Sequence, residues 1–149
     1  MNEAATQYWD DYWKVRGKSK PSSVNAWQFG SDPNYLAQLV IDGLKTATCS
    51  GVVFYEHEQE PLPCVGNYNI VLNSEDNPVA IIQTVDVQVL PMNEVSEEFA
   101  IAEGEGDRTY RYWWDEHERF FKKELARLKL PYTEDMMLVC ERFTLIDVK

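Results

Sequence analysis

One uninterrupted amphipathic stretch, Arg108 to Leu128, constrains this chain more than any other feature. Tyr110, Trp113, Trp114, His117, Phe121, Leu125 and Leu128 recur at spacings of three and four, and Pro131 closes the run. That period sets the seven side chains on one face of an α-helix about 30 Å long, and a face so rich in aromatics belongs in a core. Runs of strand character surround the helix: residues 47–55, 67–72 and 79–90, with a closing run from Met136 to Val148. Helix and strand therefore share one chain, and the expected class is α+β.

Three further helices have readable ends. From Ala4 to Val15, Tyr8, Trp9, Tyr12 and Trp13 fall at helical spacing, with Gly17 placed as a C-terminal cap. Asp32 caps a second helix, Pro33 takes its first position, Leu36, Leu39 and Val40 form its apolar face, and Gly43 ends it. Ser96 caps a third, with Glu97 and Glu98 against the positive end of the helix dipole. Between that short helix and the long one lies Glu103-Gly104-Glu105-Gly106-Asp107, a tight acidic turn in which glycine enters left-handed backbone at little cost. Residues 18–23 and 73–78 read as loop and turn. With 149 residues, no repeat and no linker, the expected organisation is one domain over 1–149, in which 1–23 form an N-terminal helix and loop extension.

Charge narrows the partners. Against 25 Asp and Glu stand 14 Lys and Arg, a formal charge of -11. Such a surface repels phosphate backbones and anionic membranes on average, although a concave site can carry a local potential of the opposite sign. Cys49, Cys64 and Cys140 form no C-x-x-C pair and cannot all close into disulfides, which suits a reducing, cytoplasmic setting. The opening Met1-Asn2-Glu3 has no export character and no apolar run reaches the length of a spanning helix, so no membrane association is expected.

The stretch with most chemical content is Gly43-Leu44-Lys45-Thr46-Ala47-Thr48, where a helix passes into a strand. In a regular strand Lys45 and Thr48 would face opposite ways; with Lys45 in the turn, the two can converge. A hydroxyl becomes a nucleophile only when a base takes its proton, and lysine serves as that base only when its pKa is lowered. Taken alone, the six residues read first as a solvated cation beside an ordinary strand threonine. Cys49 is the stronger nucleophile in isolation, but alternation turns it away from whatever Thr48 faces, and it reads as a buried structural thiol.

Several blocks together resemble the ASCH proteins: Ala26-Trp27-Gln28-Phe29-Gly30, the Gly43 to Thr48 stretch, Pro63-Cys64-Val65-Gly66, Phe99 to Asp107, Trp114-Asp115-Glu116-His117, and Val139-Cys140-Glu141-Arg142-Phe143. Their order and spacing match as a set. The resemblance implies a PUA-like β-barrel of mixed and antiparallel strands surrounded by helices. It also implies action on RNA or modified nucleosides, and one bacterial branch hydrolyses the amide of acetylcytidine. The lysine and threonine of that branch fall on Lys45 and Thr48, and its glutamate on Glu103. The present chain is longer than that branch by its aromatic N-terminal helix.

That resemblance implies that Lys45 acts as base toward Thr48, that the Thr48 oxygen attacks the acyl carbonyl, and that Glu103 orients Lys45 or passes a proton to the leaving amine. The residues expected around the substrate are Trp27, Thr46, Glu105, Asp107, Trp114, His117 and Glu141. Trp27, in the loop before the second helix, together with Trp114 and Tyr110 offers aromatic surface for a base, with core packing as the alternative. His117 reads first as a hydrogen-bonded core histidine, and Asp107 first as a cap for the long helix. Glu141 lies inside a half-buried strand, where a charge needs a partner, and is expected to reach toward Lys45. His57 sits in an acidic loop without ligand spacing, so neither metal nor cofactor is expected. The expected ligand is a small nucleoside or modified base, with an RNA-binding module or ribonuclease, and a non-catalytic nucleoside sensor, as the other functions to separate.

Overall fold

The computed structural model describes residues 1–149, and its architecture is a curled, mixed five-stranded sheet, a half-barrel, carrying five helices. In chain order the elements are α1 (Glu3–Arg16), β1 (Asn25–Gln28), α2 (Pro33–Ile41), β2 (Ala47–Gly51), α3 (Val52–Glu58), β3 (Tyr68–Leu72), β4 (Pro78–Pro91), α4 (Glu97–Glu103), α5 (Tyr110–Arg127) and β5 (Met137–Val148). A 3-10 turn at Met92–Glu94 links β4 to α4. This is the α+β, PUA-like arrangement expected.

The strand order is β1-β3-β4-β5-β2, parallel only between β1 and β3. The backbone of the sheet is the β4–β5 ladder, which breaks register between Ile81 and Ile82 and again between Thr84 and Asp86. Each extra residue bends its strand and adds twist, so the long ladder curls rather than lying flat. The short strands β1 and β2 become the two edges, and both line a single cavity.

Alternation places the core on both faces of the central strands. Ile70, Leu72 and Ile81 pack under Trp9 of α1, while Val71, Ala80 and Ile82 pack under Leu36, Leu39 and Val40 of α2. Helix α1 is thus seated on the sheet through Trp9 and Trp13 against Tyr68 of β3. A third cluster joins Phe99 and Ala100 of α4 to Trp113, Phe121 and Leu125 of α5 and to the β2–β5 end of the sheet.

Caps fall where sequence placed them in most cases. Gly17 is left-handed after α1, Asp32 accepts from the Tyr35 amide, and Ser96 accepts from the Phe99 amide. Three expectations need correction. Val52 to Tyr55 continue as helix α3 instead of strand, which also lifts His57 out of a loop. Trp27 lies in β1, not in a loop. The cap of α5 is Thr109, whose hydroxyl accepts from the Tyr112 amide; Asp107 sits one step behind, accepting from the amide and hydroxyl of Thr109.

Candidate functional site

Two backbone segments lie flush against each other and create the site. After α2, Gly43 takes a left-handed turn, and the amides of Leu44 and Lys45 both donate to the Leu39 carbonyl. The next amide, Thr46, donates 2.8 Å to Ala102 O, one of the free carbonyls at the C-terminus of α4. Across that seam Gly104 is left-handed at φ 74, and a Cβ there would stand 2.2 Å from Leu44 O. Only glycine permits this approach. The seam brings Lys45 and Glu103 together although 58 residues separate them.

Glu103 is 1% exposed and its carboxylate receives four donors. Lys45 Nζ lies 3.1 Å from Oε1, while Oε2 takes His117 Nε2 at 3.2 Å, Cys49 Sγ at 3.3 Å and the indole N–H of Trp113. Burial alone would raise the pKa of this carboxyl, but Lys45, His117 and the hydrogen bonds carry it far below the ordinary range. It is a fixed anion with no spare acceptor of consequence.

Lys45, 2% exposed, also reaches Glu105 Oε2 at 3.3 Å. Burial disfavours its charge, yet Glu103 and Glu105 outweigh that and raise its pKa. The resting group is an ammonium. A base role requires the opposite displacement, so the surroundings of Lys45 suit a proton-donating or proton-relaying part rather than a free amine.

His117 has an acceptor at each ring nitrogen, Trp113 O 2.7 Å from Nδ1 and Glu103 beyond Nε2. An imidazole with two acceptors is held doubly protonated. Burial opposes that charge and Glu103 overcomes it, raising the pKa. Two cations and two carboxylates, Lys45, His117, Glu103 and Glu105, therefore compensate one another.

Cys49, Glu103 and His117 present ligand atoms within 4.8 Å of one another. Metal binding there would need a thiolate and a neutral ring nitrogen. Burial and Glu103 push the Cys49 thiol well up, and both His117 nitrogens are engaged, so the three do not form an open ligand set.

These groups form one wall of a cavity of about 820 Å³ between the edges of the sheet. Of the expected residues, Lys45, Thr48, Glu103, Trp27, Glu105, His117 and Glu141 line it. Three do not. Thr46 is exposed and donates to Ala102 O, Asp107 supports Thr109, and Trp114 donates its indole N–H to Glu118 Oε2 while packing against the core. Tyr110, too, is spent on stacking against Trp113. Trp27 is fixed by its indole N–H on Asn69 Oδ1 at 2.9 Å and stands edge-on to Phe29.

Thr48 makes no hydrogen bond to Lys45 or Glu103. Its ladder partner is Glu141, whereas Cys49 pairs with Cys140 and is the residue whose side chain touches Glu103. Alternation does separate Thr48 from Cys49, but the carboxylate lies on the cysteine's side. Glu141 does not reach Lys45 either; Thr84 Oγ1 donates to its Oε1 at 3.1 Å. Trp113 is the participant that the sequence did not single out, because an indole in an amphipathic stripe is indistinguishable from core until its N–H finds an acceptor.

The ASCH domain family model matches residues 25–147. Protein EF3133 from Enterococcus faecalis V583, of family DUF984, is 42% identical, with a TM-score of 0.87 over 99% of this chain and 91% of its own. An ASCH domain from Lactobacillus crispatus JV V101 is 34% identical, with a TM-score of 0.89 over 97% of this chain and 95% of its own. No curated protein matches. The helix α1, outside the residues matched by the family model, falls within the span shared with both solved structures. On these grounds, the chain belongs to the ASCH domain family.

Proposed function

We propose that the cavity binds a small uncharged nucleoside or base carrying an acyl amide, such as acetylcytidine, and hydrolyses that amide. The observation that carries this reading is a buried ammonium, Lys45, held on the wall of the same cavity that Thr48 lines. A fixed cation in a dry wall stabilises the oxygen of a tetrahedral intermediate far better than a solvated one. In the step proposed, the Thr48 oxygen bonds to the acyl carbon and the C–N bond breaks. Lys45 gives one proton to the leaving nitrogen, receives the Thr48 proton, and ends as the ammonium it began. Water then cleaves the threonine ester and releases the acid. Glu103 acts through Lys45 by fixing its position.

The lining favours such a ligand over a phosphate-bearing one. It holds five glutamates, Glu60, Glu103, Glu105, Glu116 and Glu141, one lysine and no arginine. Against these five carboxylates stand only two cations, Lys45 and His117, so the lining as a whole repels a phosphate but not an uncharged base. This weighs against an RNA-binding module or ribonuclease working through this cavity.

The test is release of cytidine from acetylcytidine by purified protein, followed by chromatography. Turnover by the wild type and its loss in Thr48→Ala support the reading. No turnover by folded wild type sinks it, and full turnover by Thr48→Ala removes the threonine from it. Thr48→Ala is the informative variant because it leaves the buried ion cluster intact.

A further inference from the structure

Glu141 is a second buried carboxyl on the cavity wall, and its surroundings differ from those of Glu103. It lies in mid-β5, 8% exposed. Its one side-chain hydrogen bond comes from Thr84, itself buried, to Oε1. No cation attends it. Lys45 is committed to Glu103 and Glu105, and Arg142, next in sequence, reaches the other way toward Glu98 at 3.8 Å. The oxygen Oε2 has no donor from the protein. Glu141 therefore has unused hydrogen-bonding capacity beside the proposed nucleophile, because cross-strand partners such as Thr48 and Glu141 stand about 4.5–5.5 Å apart at Cβ on one face.

The chemistry of a ligand that would satisfy this group is restricted. Thr84 donates to Oε1, so Oε1 is the acceptor, and the proton of a neutral carboxyl belongs on Oε2. Side by side, an acceptor and a shared proton complement a ring nitrogen next to an exocyclic N–H. We infer that Glu141 is the base-reading residue of the cavity, holding the amino-imine edge of an aminopyrimidine such as cytosine through two parallel hydrogen bonds. The ring nitrogen accepts the Oε2 proton or takes it outright; the exocyclic N–H donates to Oε1. Uracil presents an N–H where cytosine has the basic nitrogen and a carbonyl oxygen where cytosine has the amino group, so its N–H opposes the Oε2 proton and its carbonyl opposes Oε1. Trp27, half-buried on the same cavity, supplies an aromatic surface for the ring. In an N-acylated aminopyrimidine the same edge survives, since the amide nitrogen keeps one hydrogen.

Burial raises the Glu141 pKa and the Thr84 bond only partly offsets it, which brings its titration closer to neutrality. The groups packed around it do not compete in that range. Tyr55 of α3 and Cys140 of β5 are both shifted upward and uncharged, and Thr48 of β2 and Thr84 of β4 do not titrate.

This inference rests on the cavity being a nucleoside or base site, but not on turnover. The experiment is calorimetric titration of the full chain with cytidine and, separately, uridine, for wild type, Glu141→Leu and Glu141→Gln, each first shown folded by circular dichroism. Wild type is expected to prefer cytidine by about tenfold or more, the worth of one hydrogen bond to a charged group. Glu141→Leu is expected to lose that affinity. Glu141→Gln is the discriminating variant: its amide can donate to a ring nitrogen or to a carbonyl, so it should bind cytidine and uridine alike, and its affinity for cytidine should be flat across the pH range where wild type weakens. A structural role alone would not erase the preference while keeping the affinity. Equal binding of the two nucleosides by wild type, no binding of cytidine, or unchanged preference in Glu141→Gln overturns the inference. Hydrolysis failing while the cytidine preference holds would remove the proposed reaction and leave Glu141 as the reader of a binding site.

Discussion

Glu103 and Glu141 line the same cavity and are both buried, yet they are opposite kinds of carboxylate. Glu103 is surrounded by Lys45, His117, Trp113 and Cys49; Glu141 has one neutral hydroxyl. The first is driven to ionise and the second is driven to hold its proton. Burial acts upward on both, so the difference comes wholly from partners. A carboxylate whose charge is answered by two cations and whose oxygens both hold donors is a scaffold that positions others, whereas one with an oxygen to spare is suited to meet a ligand.

The hardest way to break the contrast is Glu103→Gln. Removing one member of a buried ion cluster strands the others, and the expected loss of stability is about 3–5 kcal/mol, read by urea unfolding. Lys45 would keep Glu105, but His117 would keep only a backbone carbonyl as an acceptor of full strength. His117 should then return toward an ordinary histidine pKa, which a proton-carbon NMR titration of its ring would show. An unshifted His117 resonance in the variant would mean that Glu103 does not hold it charged.

A smaller effect is expected from Gly104→Ala. Left-handed backbone strains a residue with a Cβ by about 1–3 kcal/mol, and here that Cβ would also meet the Leu44 carbonyl. The variant should loosen the seam between Leu44–Thr46 and Ala102–Gly104, and with it the Glu103 end of the cavity, while leaving the Thr48–Glu141 ladder in place. Hydrogen exchange should rise at the Thr46 amide, which depends on Ala102 O, and not at the β4–β5 ladder.

The sequence disclosed these two ends unequally. Gly17, Asp32 with Pro33, Ser96 and Pro131 marked helix ends because capping is local chemistry, and the acidic glycine turn announced itself in the same way. Lys45 and Glu103 were both singled out, although their meeting depends on a seam that no local rule describes. The run Val52-Val53-Phe54-Tyr55 was misread because β-branched and aromatic residues favour strands, and that preference yields to packing: Phe54 of α3 lies over Gly51 and stacks on Phe121 of α5. Trp114 was read as aromatic surface for a base and Asp107 as a cap or a ribose contact; neither they nor Thr46 line the cavity, because the indole of Trp114 bonds Glu118, Asp107 holds Thr109 and Thr46 is exposed. Which face of β2 meets Glu103 was not readable either. Alternation separates Thr48 from Cys49, but only the placement of α4 against the sheet decides which of the two the carboxylate touches.

The subtlest test reverses the sign of the first. Glu141→Gln keeps an oxygen for the Thr84 hydroxyl and removes a charge that burial disfavours, so it should stabilise the protein at neutral pH by about 0.5–1 kcal/mol, the scale of a single net hydrogen bond. Linkage fixes how this gain depends on pH. A group whose pKa is raised on folding contributes stability that is whole below its unfolded value, near 4.5, and is lost as pH rises through the folded value. The gain in Glu141→Gln should therefore be absent in acid and grow through the Glu141 titration. Glu103 runs the other way: its contribution is whole above 4.5 and is lost as pH falls toward its depressed folded value. Unfolding free energies for wild type and Glu141→Gln across that range would show two curves that coincide in acid and separate on the alkaline side. Curves that ran parallel would mean that folding leaves the Glu141 carboxyl unshifted, and curves that separated with the variant the less stable would place Glu141 in an environment like that of Glu103, with its charge already answered and nothing left for a ligand to supply.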